Sequence, residues 1–417
     1  MTVLVLYIAI FVLGFFATRL FRRRQQRHDL TSLKTVTFGD ESAIRPDRAA
    51  SVMSILSIFL IWGAFTGSVL TPLHVPGPFK GTTSFDYTAT APDGTTDDAK
   101  VTVLVHNLTE KPVAPDTVPS TAFAQDDAVT VGAWRSVLIK PVENDTLQSA
   151  RVTAINGQPI LPDVPVKVDN GRLVLTSKGS LNFEPYKGWQ MEPIWLPSPE
   201  AVAARFMEIA TNGYQNTSLW EHLGASLTRV LAGFVLGSIV GIPLGYAMGL
   251  SGWFRGWFDP IVEFMRPVPP LALIPLVIIW FGIWEQGKIV LLFLAALWIM
   301  VIAARSGVSG VRLSKIHAAY SLGASKWQIL RHVIIPNSLP DIFTGARVAM
   351  GVCWGTVVAA ELVAAEKGAG MMIIAASKFQ MTDVVVMGII LIGLIGYSID
   401  ILMRMAERRL IPWKGRG

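Results

Sequence analysis

Few side chains in this sequence have the type and spacing to do chemistry, and those that do suggest binding and coupling rather than bond-making. Residues 317–340, HAAYSLGASKWQILRHVIIPNSLP, form a polar, basic interruption between two strongly apolar runs. Within it Ala318, Ala319 and Leu322, then Ile329, Leu330 and Val333, recur at helical spacing on either side of Gly323. That pattern predicts two short amphipathic helices broken at a small residue. Such a pair is too short to cross a bilayer. Ser321 and Gly323 leave little bulk at the bend, so another protein's surface can approach the backbone closely. A helix resting on lipid headgroups is the alternative reading of the same periodicity.

Two charges stand inside or beside apolar runs: Arg266, just before Pro267-Val268-Pro269-Pro270, and Glu361. An ionisable residue within a membrane marks a pathway or pairs with a partner. For Arg266, a salt bridge to Glu263 three residues earlier, or snorkelling to phosphate, is expected before direct substrate contact. The acidic pairs Asp97-Asp98 and Asp126-Asp127 carry oxygen ligands of the kind calcium takes, or are exposed acidic turns. No GxxxxGK[ST] phosphate loop is present, so this chain is not expected to hydrolyse ATP. Its single cysteine, Cys353, lies in an apolar run, which excludes a disulfide framework and a cysteine-based metal site.

The elements that position these residues are mostly membrane helices. With 51% hydrophobic and 16% charged residues and a mean hydropathy of +0.46, the chain is too apolar for an ordinary soluble protein. Its net charge of +6 therefore concerns topology rather than nucleic acid. Residues 1–20 read as an extra N-terminal span, followed by Arg22, Arg23, Arg24 and Arg27, which stay cytoplasmic and leave the N-terminus outside. Residues 21–50 read as a cytoplasmic linker, and 51–70 as an outward span. Residues 223–250 carry Gly233, Gly237, Gly241, Gly245 and Gly249 at every fourth position, the small-xxx-small pattern of close helix packing. Residues 251–260 read as an interfacial loop. Residues 261–283 read as an outward span that the prolines keep from being regular helix throughout. Further spans follow at 289–304, 341–363 and 384–403, with 364–383 dipping into or lying at the outer surface. In the 341–363 span, Gly345, Gly351 and Gly355 offer close contacts. Arg404, Arg408, Arg409, Lys414 and Arg416 hold the C-terminus inside. The total is about seven spans, six of them a core.

Between the spans, residues 71–192 change to period two. Phe85, Tyr87 and Ala89 share one face, as do Val101, Val103 and Val105; Val137 with Ile139, Leu173 with Leu175, and Leu181 with Phe183 repeat the pattern. Turn signals at Pro92-Asp93-Gly94, Asn144-Asp145, Asn156-Gly157 and Asp169-Asn170-Gly171 separate the strands. The pattern predicts an all-β sandwich inserted into an all-α polytopic membrane protein, on the outer side.

The run AAYSLGAS followed by IIPNSLP resembles the "EAA" loop of ATP-binding-cassette importer permeases, with His317 standing where many members carry Glu. LWEHLGASLTRVLAGF, DPIVEFMRPVPPLALIPLVIIWFGI, VVAAELVAAEKGAGMMI and TDVVV are similar to the taurine, sulfonate and nitrate permease group, most of all its taurine permeases. The resemblance covers 195–417 and the span at 51–70. It implies a type I permease core, with 193–417 as the transmembrane domain and cytoplasmic coupling helices at 310–340. His317, Ala318, Ala319, Ser321, Gly323, Ala324 and Ser325 would then contact an ATPase dimer, which binds the ATP and magnesium; this chain itself would bind no cofactor. It further implies a homodimer, a periplasmic solute-binding protein as partner, and a place in the bacterial inner membrane. Taurine is the first expected substrate, with other alkanesulfonates, nitrate or bicarbonate open. Arg266 and Glu361 are the candidates for a sulfonate and an ammonium along the path. Residues 71–192 resemble bacterial cadherin-like, immunoglobulin-type repeats with the strand order inverted: FKGTTSFDYTATAPDGTTDDAKVTVLV looks like a closing hairpin, and DDAVTV, VENDT and GSLNFEPYKGW like opening strands. One circularly permuted sandwich or two broken repeats would give that order. A membrane-anchored adhesion or sensing protein is the rival of another class. The irregular proline-rich span and the helix pair would be superfluous to it. A secondary transporter is a further rival, disfavoured by the lack of an inverted repeat and of a chain of buried acids.

Overall fold

The period-two stretches become two β-sheets because each strand has one apolar face to bury. The computed structural model describes residues 2–25, 48–108, 110, 112–117, 122–147 and 149–413, and within it the chain divides into two compact units, 1–200 and 201–417. Most of the expected linker at 21–50 lies outside the described residues, as do Arg27, Lys414 and Arg416.

In the first unit, helices α1 (Thr2–Gln25) and α2 (Arg48–Thr66) precede nine strands. The five-stranded sheet has the order β3-β2-β1-β5-β6 and the four-stranded sheet β4-β9-β8-β7. β1 (Gly81–Thr90) and β2 (Thr96–His106) form a hairpin; β3 (Asp127–Gly132) joins β2 in parallel and β5 (Arg151–Ile155) flanks β1. β4 (Val137–Ile139), β7 (Pro165–Val168), β8 (Gly171–Leu175) and β9 (Leu181–Pro185) make the second sheet, and β6 (Gln158–Pro159) closes the first. Phe85, Tyr87, Val101, Val103, Leu173, Leu181 and Phe183 share one buried core, so the early hairpin and the later strands complete a single body. The turn at Asn156-Gly157 takes φ of 48° and 75°, as a two-residue hairpin requires, and Asn170 takes 60° between β7 and β8. The acidic pairs are used locally: Asp97 Oδ2 accepts the Ala124 amide at 2.7 Å and Asp126 Oδ1 that of Lys100 at 2.8 Å. Among the described residues, no three His, Cys, Asp or Glu side chains gather as a metal would need.

The second unit is helical: α3 (Pro199–Asn212, which begins at the boundary), α4 (Leu219–Leu250), α5 (Gly252–Met265), α6 (Ile274–Phe281), α7 (Glu285–Ser309), α8 (Leu313–Ser321), α9 (Lys326–Ile329), α10 (Ile335–Ala364), α11 (Ala369–Lys378) and α12 (Thr382–Leu410). The glycine stripe of α4 lies against α7. A Cβ on Gly237 would stand 2.7 Å from Ala296 Cβ and 2.9 Å from the Phe293 carbonyl, so only glycine permits that approach.

Several expectations are corrected here. Residues 251–260 are not a loop, because Trp253, Phe254, Trp257 and Phe258 recur at helical spacing along α5, where Phe258 stacks on Phe254 and Trp257 lies tilted against Trp253. The span at 261–283 is interrupted where the prolines were expected to interrupt it, two helices meeting at 92° across 266–269, where amide donors are withdrawn. The second short helix of the coupling pair has no separate end. A π-helical turn, Leu330–Ile334, carries α9 directly into α10, so one run from Lys326 to Val363 replaces a helix and a later span. Gly345 packs against Ala303, but nothing lies within 4 Å of where a Cβ on Gly351 or Gly355 would be. Among the described residues, five helices are long and apolar enough by length and composition to cross a membrane, or six if the bent pair is one span.

Candidate functional site

Residues 317–325 form a turn held on a small core. Leu322 ends α8 and Gly323 takes φ +79°, the left-handed conformation that stops a helix at little cost only with glycine. Ser325 restarts the chain with a capping box: its Oγ accepts the Gln328 amide at 3.3 Å, and Gln328 Oε1 accepts the Ser325 amide at 2.7 Å. Ala319, Ala324 and Ile329 pack inward with Val308, Val311 and Ile334. His317, Ala318, Ser321, Gly323 and Ser325 are exposed, and beside them stand Leu322, 88% exposed, and Trp327, 66% exposed. Nothing lies within 4 Å of where a Gly323 Cβ would be. The tip thus offers small residues, open backbone and two large apolar side chains to solvent.

The two expected path charges do not meet. Arg266 is exposed, with Nη1 3.8 Å from Glu263 Oε2, the neighbour anticipated from spacing. Glu263 is shared with Arg305, whose Nη2 lies at 3.0 Å and whose Nη1 pairs with Asp259, joining α7 to α5. Glu361 is 1% exposed and belongs to a buried polar cluster that sequence reasoning missed. Arg229 on α4 donates from Nη1 to Glu361 Oε1 at 2.6 Å and to the Lys367 carbonyl at 2.7 Å, and from Nε and Nη2 to Glu285 at 2.5 and 2.8 Å. Lys288 Nζ reaches Glu285 at 2.9 Å. Ser226 Oγ and the Gly370 amide donate to Glu361, and His222 Nδ1 accepts the Gly368 amide at 3.1 Å. His222, Ser226, Arg229 and Gly233 fall on the same face of α4, so one helix face supplies the cluster and then the glycine contact. Gly368, at φ +145°, has no room for a side chain, because its Cβ would fall 2.3 Å from the Glu361 carboxyl carbon. The signal in the sequence was Arg229, a lone arginine in a long apolar helix, where a buried partner is the rule.

The arrangement ties α4, α7, α10 and the turn before α11 together at one end of the bundle. It carries both signs of charge, each already answered by the other.

Comparison with known proteins agrees with this architecture. Residues 227–412 match the family described as binding-protein-dependent transport system inner membrane component. The taurine transport system permease protein TauC of Escherichia coli (strain K12) is 47% identical over 226 residues, 54% of this chain and 82% of that protein. The putative aliphatic sulfonates transport permease protein SsuC of the same strain is 42% identical over 226 residues, 54% of this chain and 84% of its own length. A putative ABC transporter permease protein of Methanocaldococcus jannaschii is 37% identical over 258 residues, 60% of this chain and 96% of its own. The length of these matches, the helical bundle and the protruding turn lead to one conclusion: the chain belongs to the binding-protein-dependent transport system inner membrane component family and is the permease subunit of an ATP-binding-cassette importer.

Proposed function

We propose that this permease carries taurine inward. The observation that carries the reading is the 47% identity, over 226 residues, to a taurine transport permease. The 42% identity to a sulfonate permease keeps other alkanesulfonates as the second reading; nitrate and bicarbonate are the remaining small anions of the class. The protein is a multi-pass inner-membrane subunit without catalysis of its own, and nucleotide binds the separate ATPase.

On this reading the turn at 317–325 docks in the ATPase dimer. Its exposed Leu322 and Trp327 support a protein contact, since apolar side chains of that size at a polar tip mark interaction surfaces. Two copies form the pore, and a periplasmic solute-binding protein delivers the solute. The N-terminus lies outside and the C-terminus inside, in keeping with Arg404, Arg408 and Arg409 after the last span. The β unit then stands outside the membrane as one permuted immunoglobulin-type sandwich, a reading supported by the single core that the early hairpin shares with the later strands. Its role is docking or organisation of the assembly.

The test is uptake by proteoliposomes holding the permease, its ATPase and its solute-binding protein, with taurine, an alkanesulfonate and nitrate each supplied alone. ATP-dependent accumulation of taurine above the other two is expected. Preferential nitrate uptake would replace the substrate, and no ATP-dependent uptake of any of the three would overturn the reading.

A further inference from the structure

The β unit contains a cavity of about 780 Å³ lined among others by Phe79, Lys167, Arg172, Glu184, Tyr186 and Lys187. We propose that it binds the phosphate-bearing headgroup of an anionic membrane lipid. The inference concerns the first compact unit alone and does not depend on which solute the permease carries.

Strand register brings the charges together. Lys167 on β7 stands directly opposite Arg172 on β8, and Arg172 directly opposite Glu184 on β9. Val166 and Val168 pack against the core, so Lys167 between them lies on the outer face of the sheet. Like charges directly opposite on neighbouring strands repel. One carboxylate answers them in part: Glu184 Oε2 is 2.5 Å from Arg172 Nε and Nη2, and Glu184 Oε1 is 3.9 Å from Lys187 Nζ. Among the described residues Lys167 has no ion-pair partner. Three cations against one acid leave two positive charges unanswered at a concave site, where a multivalent oxyanion is the matching ligand.

The position of the cavity decides which oxyanion. Its wall is the crossing of the segments near 79 and 186: the Phe79 amide donates to the Tyr186 carbonyl at 2.8 Å, and the Tyr186 amide to that of Asn170 at 2.7 Å. The same segments are bonded to the end of α2, a candidate span. The Val75 amide reaches the Ala64 carbonyl at 3.2 Å, and the Met191 amide that of Phe65 at 2.8 Å. Val69, Leu70, Trp189 and Trp195 are exposed on these connecting stretches. Tryptophan and apolar side chains just beyond a span sit at headgroup level. The basic cavity therefore opens beside a bilayer surface, within reach of a lipid phosphate. A lysine on an edge strand also deters strand addition, but that use explains neither Lys187 nor the concavity.

The full chain is placed in nanodiscs of phosphatidylcholine doped with phosphatidylglycerol that bears a photoactivatable headgroup, and crosslinked peptides are mapped by mass spectrometry. Crosslinks are expected in the peptides covering 165–187. The Lys167→Gln/Lys187→Gln pair should lower them roughly 25-fold, because each basic side chain at an anionic surface contributes about a factor of 5. The Lys167→Arg/Lys187→Arg pair keeps the charge and should keep the crosslinks, which separates loss of charge from loss of folding. Excess taurine or inorganic phosphate should leave them unchanged. Displacement by either soluble anion assigns the cavity to a free oxyanion and overturns the lipid reading. Equal labelling by a phosphatidylcholine analogue, unchanged labelling in the Gln pair, or no labelling at 165–187 also overturns it.

Discussion

Removing Arg229 should damage the helical unit more than removing its buried partner Glu361, although each change deletes the same ion pair. Arg229 lies between two carboxylates, with Glu361 at 0% side-chain exposure and Glu285 at 56%. In Arg229→Met, Glu361 stays buried and must either keep an unpaired charge or take up a proton, with only the Ser226 hydroxyl and the Gly370 amide to answer it. Stranding a buried charge in this way costs roughly 3–5 kcal/mol. In Glu361→Gln the arginine keeps both bonds to Glu285 and its bond to the Lys367 carbonyl, and the new amide oxygen still accepts a hydrogen bond. Loss there is that of a hydrogen bond to a charged group, about 1.5–3 kcal/mol. The double variant Arg229→Met/Glu361→Gln should recover part of the loss of Arg229→Met, since neither charge remains buried alone. The assay is reversible unfolding of the full chain in mixed micelles, with the two single variants and the double as a mutant cycle. Equal losses in the two singles, or a double variant no better than Arg229→Met, would refute the reasoning.

Three further outcomes follow from other parts of the molecule. Burial first, then the nearby charges of Asp145 and Asp126, push the Asp127 carboxyl up to about 7, so the folded β unit holds a proton that the unfolded chain releases near pH 4. Its stability should fall as pH rises from about 4 to about 7, and Asp127→Asn should flatten that slope, read from the protease concentration needed to cleave 71–192 in the full chain at each pH. Gly237→Leu drives a side chain into Ala296 and the Phe293 carbonyl and should destabilise the bundle by about 1–3 kcal/mol or more, measured by the same micelle unfolding; wild-type stability would mean that α4 and α7 do not approach as described. Gly323→Trp finds open space but a left-handed backbone, so the chain should still insert, at a cost of about 1–2 kcal/mol, while transport-coupled ATP hydrolysis is lost; normal uptake would remove the turn from the ATPase contact.

Periodicity and turn chemistry alone determined a good deal of this protein. The alternating faces of Phe85-Tyr87-Ala89, Val101-Val103-Val105 and Leu181-Phe183 are the buried faces, because a strand has only two sides and apolar residues occupy one. The break at Gly323 and the glycine stripe of α4 were legible for a similar reason: a residue without a side chain is itself a statement about backbone and close approach. Helix ends were less legible. Nothing local distinguishes a short separate helix at 326 from the first turns of the next span, and the aromatics of α5 read as a loop until they had a helix surface to lie on. Only tertiary structure decided what the charges do. Arg229 and Glu361 are 132 residues apart, and Glu361 can stay buried only because an arginine from another helix arrives beside it. Lys167, Arg172 and Glu184 likewise become a row only through strand register. Apolar burial repeats along the chain and is visible in it, whereas a specific charge pair depends on which distant residue the fold delivers.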